Sequence, residues 1–589
     1  MKLIWLFERL RWRPIKQLVS REKGLVTHEI NQYILVAYES NKLGCMECVR
    51  KRIQDKGLNH SVSFKPEVNQ LDSLIVEELK REVVKEEGHY YFAYNLLTKE
   101  INKLLMIKYP QCNGCKVEET IEELEEKAII PTNDTMNYGY RAKSFDETIR
   151  VFTRDMDSFL HPLFGLFDTH SRNISDSMPL ISLYVTLGRR KFDAHGRQET
   201  YKGSFFTAML EGLERFHGVA PPTTSRYYAS EQSLANQKED FVSLFRFSHL
   251  PESLFSEEFV QVEEYSTDTD IFWRYAYSFN QKKYKLIPEE VIYFSTHDFY
   301  DKPHNKRYLL DSSNGIALGS NTIEAALGGL FEIIERDSFL VHWYSKSSPI
   351  RVEGITNLGN KNINLMIAYL QSIGYKVHIF DVTLESEVPT FWVLIELVEE
   401  DEEKIAFYTT AGTHINPEDA IESALVEAST SIRSFMMYQK RIYKGIVPTD
   451  FVEDYKKIVK LEDHLYLYSS PKMRFAFDFA IQTDRVMDAK ELVEKRSTYL
   501  NKFSNQGKLL DTLISKLTIY HEIFQANLSS NTLKSLGLNC VKIIVPTMQN
   551  IGFGYLYQNI NRDRIKQAVM LNGLNGETEV MNREPHPFP

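Results

Sequence analysis

Along the chain, short apolar runs alternate with long helical stripes. Strand-sized runs stand at 180–187, 377–382, 391–398, 404–410 and 541–545. Apolar residues recurring at every third and fourth position predict helices over 204–216, 322–343, 417–437 and 490–500. The two kinds of element mix without a steady strand–helix–strand rhythm. That pattern predicts an α+β (layered α/β) fold rather than a barrel. Between two of the strand runs, 398–404 (VEEDEEK) reads as an acidic hairpin loop.

The first part of the chain is different. A helical stripe carries Ile75, Leu79 and Val83, and a strongly acidic helical stretch follows at 117–127. Turn formers crowd 131–139 (PTNDTMNYG), which marks a boundary. Two units are expected: residues 1–135 and residues 140–589. With 589 residues the chain is too long for one ordinary domain, so the division agrees with its size.

Charge narrows the classes. A net charge of −10 argues against a protein that grips nucleic-acid backbones through a basic surface. No apolar stretch approaches the ~20 residues of a membrane span. The start, MKLIWLFERLRWRP, resembles a signal for a few residues, but charged Glu8 and Arg9 interrupt it with no cleavage site beyond. A cytoplasmic protein is expected.

One short pattern recurs. Glu211-Gly-Leu-Glu214-Arg215 and Glu332-Ile-Ile-Glu335-Arg336 both read E-x-[LI]-E-R, each inside a predicted helix. Glutamates three apart share a helix face. Two such faces brought together would offer up to four carboxylates, a hard-oxygen set suited to Mg2+, with guanidinium groups to clamp phosphate. The plainer alternative is a pair of exposed helices laced by internal ion pairs. Ahead of the second copy, Asn321 and Glu324 have the spacing of a helix cap. Positions 324, 328 and 332 lie on one stripe, and Gly328-Gly329 within it weakens the helix. Such a weakness marks the close approach of a ligand or of another backbone.

These segments together resemble the YcaO family. The resemblance lies in SNGIALGSNTIEAALGGLFEIIERDSF, in GRQETYKGSFFTAMLEGLERFHG, in VKIIVPTMQNIGFG, and in the terminal Pro585-His-Pro587-Phe-Pro589, which is similar to the PxPxP ending of the azoline-forming branch. It covers roughly residues 140–589. It implies a YcaO-type ATP-binding domain and an ATP-dependent cyclodehydratase, which converts Cys, Ser or Thr of a ribosomal precursor peptide to thiazoline or oxazoline by phosphorylating the amide oxygen. By the same resemblance Glu211, Glu214, Glu324, Glu332 and Glu335 would hold Mg–ATP, with Arg215, Arg336 and Asn321 beside them. Pro585, Pro587 and Pro589 would reach the active site, the terminal carboxylate being a candidate base. The implied partners are the precursor peptide, an E1-like leader-binding protein and a flavin dehydrogenase, with a second copy of the chain (a homodimer) as a further candidate. A thioamide-forming YcaO enzyme and a non-catalytic docking scaffold are the alternatives. The chain departs from the family at Gly196-Arg197-Gln198, Thr207, Ser423 and Thr430, and keeps Glu427. It has no G-x-x-x-x-G-K-[ST] loop, so nucleotide binding of the P-loop kind is excluded.

Four of the five cysteines form two C-x-x-C pairs, Cys45/Cys48 and Cys112/Cys115. This spacing suits a structural Zn2+–thiolate site in a small N-terminal domain, with a redox role or unrelated thiols as alternatives. The surroundings of Cys45 resemble the zinc-binding tail of the E1-like partners. Cys540 stands alone and is expected to be a small buried hydrophobe.

Overall fold

The structure is a computed structural model that describes residues 24–39, 43–57, 66–115, 135–136, 139–173, 177–188, 190–257, 260–310, 312–443, 449–499 and 502–588. The expected acidic helix at 117–127, the N-terminal start and Pro589 lie outside the described residues.

The strands are β1 Leu25–Ile30, β2 Tyr33–Tyr38, β3 Tyr90–Asn95, β4 Ile101–Leu105, β5 Thr169–Asn173, β6 Leu180–Leu187, β7 Arg190–Arg197, β8 Tyr227–Ala229, β9 Ile271–Ser278, β10 Lys283–Pro288, β11 Ile316–Gly319, β12 Ile350–Glu353, β13 Tyr375–Asp381, β14 Thr390–Leu397, β15 Phe407–Thr413, β16 Val486–Asp488, β17 Phe524–Asn527 and β18 Asn539–Ile544. The helices that matter here are α1 Met46–Asp55, α2 Gln70–Lys85, α3 Phe145–Arg154, α4 Tyr201–Val219, α5 Thr322–Ser345, α6 Lys361–Ser372, α7 Pro417–Tyr443, α8 Ala489–Arg496 and α9 Gln506–Leu517.

The N-terminal sheet runs β1-β2-β3-β4, antiparallel throughout. Its alternate positions face two different helices. Leu35, Ala37, Tyr91 and Ala93 pack with Met46, Val49 and Ile53 of α1. Ile34, Val36, Phe92 and Tyr94 pack with Ile75, Val76, Leu79 and Val83 of α2. A strand buried on both faces has no polar side, which is why β3 reads YYFAYN without alternation. Asn69 and Asp72 close a full capping box at the start of α2.

The rest is layered. A three-stranded sheet β5-β6-β7 is crossed by α4. A larger sheet, β10-β9-β17-β18-β11 with β8 beside β9, and a five-stranded sheet, β15-β14-β13-β12-β16, lie on either side of α5. A helix between two sheets must be apolar nearly all round, and α5 is. Charged residues on it therefore need a reason. The α+β, layered α/β expectation holds. The strand expected at 404–410 is the exception in register: it begins at Phe407, because Asp401 and Lys404 close a turn first. The helix expected to reach 500 stops at Arg496, where Ser497 bonds back to Val493.

Candidate functional site

The two E-x-[LI]-E-R patterns sit on α4 and α5, and both helices pack against β11. Main-chain donors of the β11 segment tie the carboxylates down. Leu318 N donates to Glu214 (3.0 Å) and Gly315 N to Glu332 (2.9 Å). From β7, His195 N donates to Glu211 (2.8 Å). The close fit depends on glycine. A Cβ on Gly196 would lie 1.7 Å from the Ser204 carbonyl oxygen of α4, and one on Gly329 would lie 2.4 Å from the Gly315 carbonyl oxygen. At Gly329 the weak point in α5 thus marks the close approach of another backbone.

The arrangement concentrates negative charge in a poorly solvated place. Burial pushes Glu214 up to about 8, and the charges of Glu332 and Glu211 add to the shift. Burial also pushes Glu335 up to about 7; Arg336 pulls it down, and Glu427 of α7 with Glu332 push it up. Glu332 is likewise raised by burial, against the pull of Arg336. Buried carboxylates that repel one another gain from a cation placed among them. The donor set, all carboxylate oxygen, fits Mg2+.

The two arginines behave differently. Arg215 gives Nε (2.9 Å) and Nη2 (2.8 Å) to Glu211. Arg336 keeps 3.8 Å from Glu332 and 3.7 Å from Glu335, and its Nε and Nη1 are buried without a hydrogen-bond partner. Its guanidinium carbon lies 4.0 Å from the centre of the Phe588 ring.

A cleft of about 740 Å3 opens beside Glu211, between α4 and α7. Glu211, Thr207, His195, Arg197 and Glu427 line it. Thr207 Oγ1 and Arg197 Nε are buried without partners, while Arg197 Nη2 reaches Ser431 of α7 at 3.2 Å. Arg197 and His195 had no place in the expected ligand set. The signal was present: polar Asp193, His195 and Arg197 alternate along β7 and so share one face.

Asn321 and Glu324 sit at the start of α5, two turns before Glu332. Asn321 caps α5, accepting from Glu324 N at 2.8 Å. The Glu324 carboxylate accepts from Ser320 Oγ (2.7 Å), Ala142 N (3.2 Å) and Gln506 of α9 (3.4 Å). It lies eight residues, or about 12 Å along the helix, from Glu332.

The terminal segment is buried rather than loose. Extended proline-rich chain has no internal hydrogen bonds, so each buried carbonyl needs an outside donor. Each of four consecutive carbonyls has one: Trp343 to Glu584 (3.0 Å), Tyr468 to Pro585, His464 to His586 (2.7 Å) and Thr409 to Pro587 (3.1 Å). His464 Nε2 accepts from Gly554 N (2.8 Å), which fixes its proton on Nδ1. Burial pushes His464 down to about 4 and His586 further below its usual range, so the pair is neutral. The terminal segment meets the carboxylate-bearing helix α5 through Phe588, which is in contact with Arg336.

Cys45, Cys48, Cys112 and Cys115 converge, all buried, their sulfurs within 4.8 Å of one another. Cys45 lies 3.9 Å from Cys48 and 3.6 Å from Cys112, and Cys48 lies 3.4 Å from Cys115. A tetrahedron with Zn–S of ~2.3 Å has sulfurs about 3.8 Å apart, so the four could hold that ion. Cys45 caps α1, which places Cys48 one turn on. The second pair is docked on the chain after α4: Thr223 Oγ1 donates to Cys112 O (3.2 Å) and Gln111 to Pro221 O. Cys540 is fully buried, as expected of bulk.

The family described as "YcaO cyclodehydratase, ATP- and Mg2+-binding" matches residues 195–549, and this chain belongs to it. The fold is similar to that of a heterocyclase solved in complex with substrate and cofactor (16% identity, TM-score 0.64, 96% of this chain and 77% of that one). It is also similar to the heterocyclase TruD (17%, TM-score 0.59, 96% and 75%). YcaO from Methanopyrus kandleri, bound with AMPPCP and Mg2+, matches at 15% identity and TM-score 0.50, over 71% of this chain and 95% of that one. At these identities the likeness is one of fold. An uncharacterised protein of Methanothermobacter thermautotrophicus is 22% identical over 289 residues, 48% of this chain and 67% of its own. Among the described residues no helix is long and apolar enough to cross a membrane.

Proposed function

We propose that this chain is the azoline-forming subunit of a peptide heterocycle synthetase. A Cys, Ser or Thr side chain of the substrate peptide adds to the carbon of the preceding amide. The amide oxygen then takes the γ-phosphoryl group of ATP, and ADP leaves. Loss of that oxygen as phosphate, with loss of the amide proton, forms the C=N bond of the ring. The peptide loses one water per ring, and one ATP becomes ADP and phosphate.

Glu211, Glu214, Glu332 and Glu335 would hold Mg2+, which supplies charge neutralisation at the phosphate oxygens. Arg336 and Arg197 have donors to spare for phosphate, and Arg215 holds Glu211 in place. Four cysteines would hold a structural Zn2+ that ties the N-terminal unit to the segment after α4. An E1-like leader-binding protein and a flavin dehydrogenase are the proposed partners.

The observation that carries the azoline assignment is the burial of the proline-rich end, with Phe588 against the arginine of the carboxylate cluster. The test uses a precursor peptide labelled with 18O at the backbone amide before a Cys, incubated with ATP and the leader-binding partner. Phosphate carrying 18O, together with loss of water from the peptide, is expected. Glu332→Gln is expected to abolish both. Ring formation without label in phosphate would sink the mechanism, and undiminished product from Glu332→Gln would favour a scaffold role.

A further inference from the structure

Arg336 has a surrounding that ought to collapse it. Two carboxylates of its own helix lie just beyond hydrogen-bond distance, at 3.8 and 3.7 Å. Arg215, in the same place of the same pattern, has closed onto Glu211. What differs at Arg336 is the ring beneath it. Phe588 is 1% exposed and packs on Phe339, with ring centres 5.1 Å apart. Its own approach is fixed by the Thr409 bond to the preceding carbonyl.

A ring bound to the flat face of a guanidinium uses that face and leaves the in-plane N–H groups free. We infer that Phe588 is a positioning residue: its ring holds the Arg336 guanidinium off its neighbouring carboxylates and keeps Nε and Nη1 available for a phosphate oxygen of the bound nucleotide. The inference rests on the nucleotide reading proposed above. Donors fixed before the phosphate arrives need no reorganisation when charge develops, which is where such a device acts. It also gives the buried tail a definite task besides the prolines, at a side chain that touches Arg336.

The test keeps shape and changes only the ring's electrostatics. Phe588 is replaced in the full chain by mono-, di- and trifluorophenylalanine, whose faces are progressively less negative. Affinity for a non-hydrolysable ATP analogue with Mg2+ is measured by calorimetry, and kcat and KM for ATP are measured on a precursor peptide. A stepwise fall is expected, reaching about tenfold for the trifluoro ring. In an Arg336→Gln background the same series should be flat. Affinity and kcat that ignore fluorination, while Phe588→Leu weakens binding, would show a ring that merely fills space and overturn the inference. A native protein that binds no Mg–nucleotide at all would instead overturn the reading on which it rests.

Discussion

Glu211-Gly-Leu-Glu214-Arg215 on α4 and Glu332-Ile-Ile-Glu335-Arg336 on α5 are one pattern in two settings. Helix α4 covers a small sheet and turns one face to the cleft, whereas α5 is enclosed between two sheets. On α4 the arginine is spent on its own glutamate. On α5 it is stacked on the chain's end and its donors stay open. The lesson is that a motif fixes which groups share a helix face, while the neighbours of that face decide what each group does.

The largest effect should come from the facing carboxylates. Glu214→Gln and Glu332→Gln are each expected to lower the ATP-dependent rate by at least about a hundredfold. If one of them leaves the single-turnover rate intact, the two helices do not share a metal. Next, the arginines should separate. Arg336→Lys is expected to cost about a hundredfold in kcat, and Arg215→Lys about tenfold, because only the first has open donors. A reversed order would break the comparison.

The glycines sharpen it at the level of stability. Gly329→Ala drives a methyl to 2.4 Å from a backbone oxygen, Gly212→Ala to 2.4 Å from the edge of the Phe167 ring. A ring can turn and a backbone cannot, so denaturant melts should show about 3 kcal/mol lost at 329 and about 1 kcal/mol at 212.

The smallest effect is in pH. Glu214 and Glu335 titrate near 8 and 7 when folded, above the ordinary carboxylate value. Between about pH 4.5 and these values the unfolded chain releases protons that the folded one keeps. Stability of the ligand-free protein should therefore fall as pH rises from 5 to 8, by about 5 °C in Tm, and Mg2+ with nucleotide should remove the slope. A flat profile without ligand would mean the two helices do not crowd their charges.

Much of this is legible in the sequence. β6 occupies the residues its apolar run marks, and α5 begins at Thr322 because Asn321 caps it. The cysteine pairs were legible because each C-x-x-C spacing puts two thiols within reach of one ion. The cleft was less so. Glu427 and Arg197 come from elements far apart in the chain, and no local period announces that a strand and a helix will face each other. Phe588 was hidden for a different reason. The terminal prolines were expected at the active site only through the family resemblance, and no local pattern announces the four donors from distant segments that let the carbonyls of 584–587 be buried.

By itself, then, the sequence determined the layered α/β class, the helices with their paired glutamates, the two thiol pairs and the exclusion of a P-loop. These follow from periodicity and spacing, which act over a few residues. Tertiary structure alone decided that Gly329 admits the Gly315 backbone, and that one arginine is bound to its own glutamate while Nε and Nη1 of its counterpart have no hydrogen-bond partner. Those outcomes depend on which atoms from distant segments fill the space beside a side chain, and the closing of the chain on itself is what supplies them.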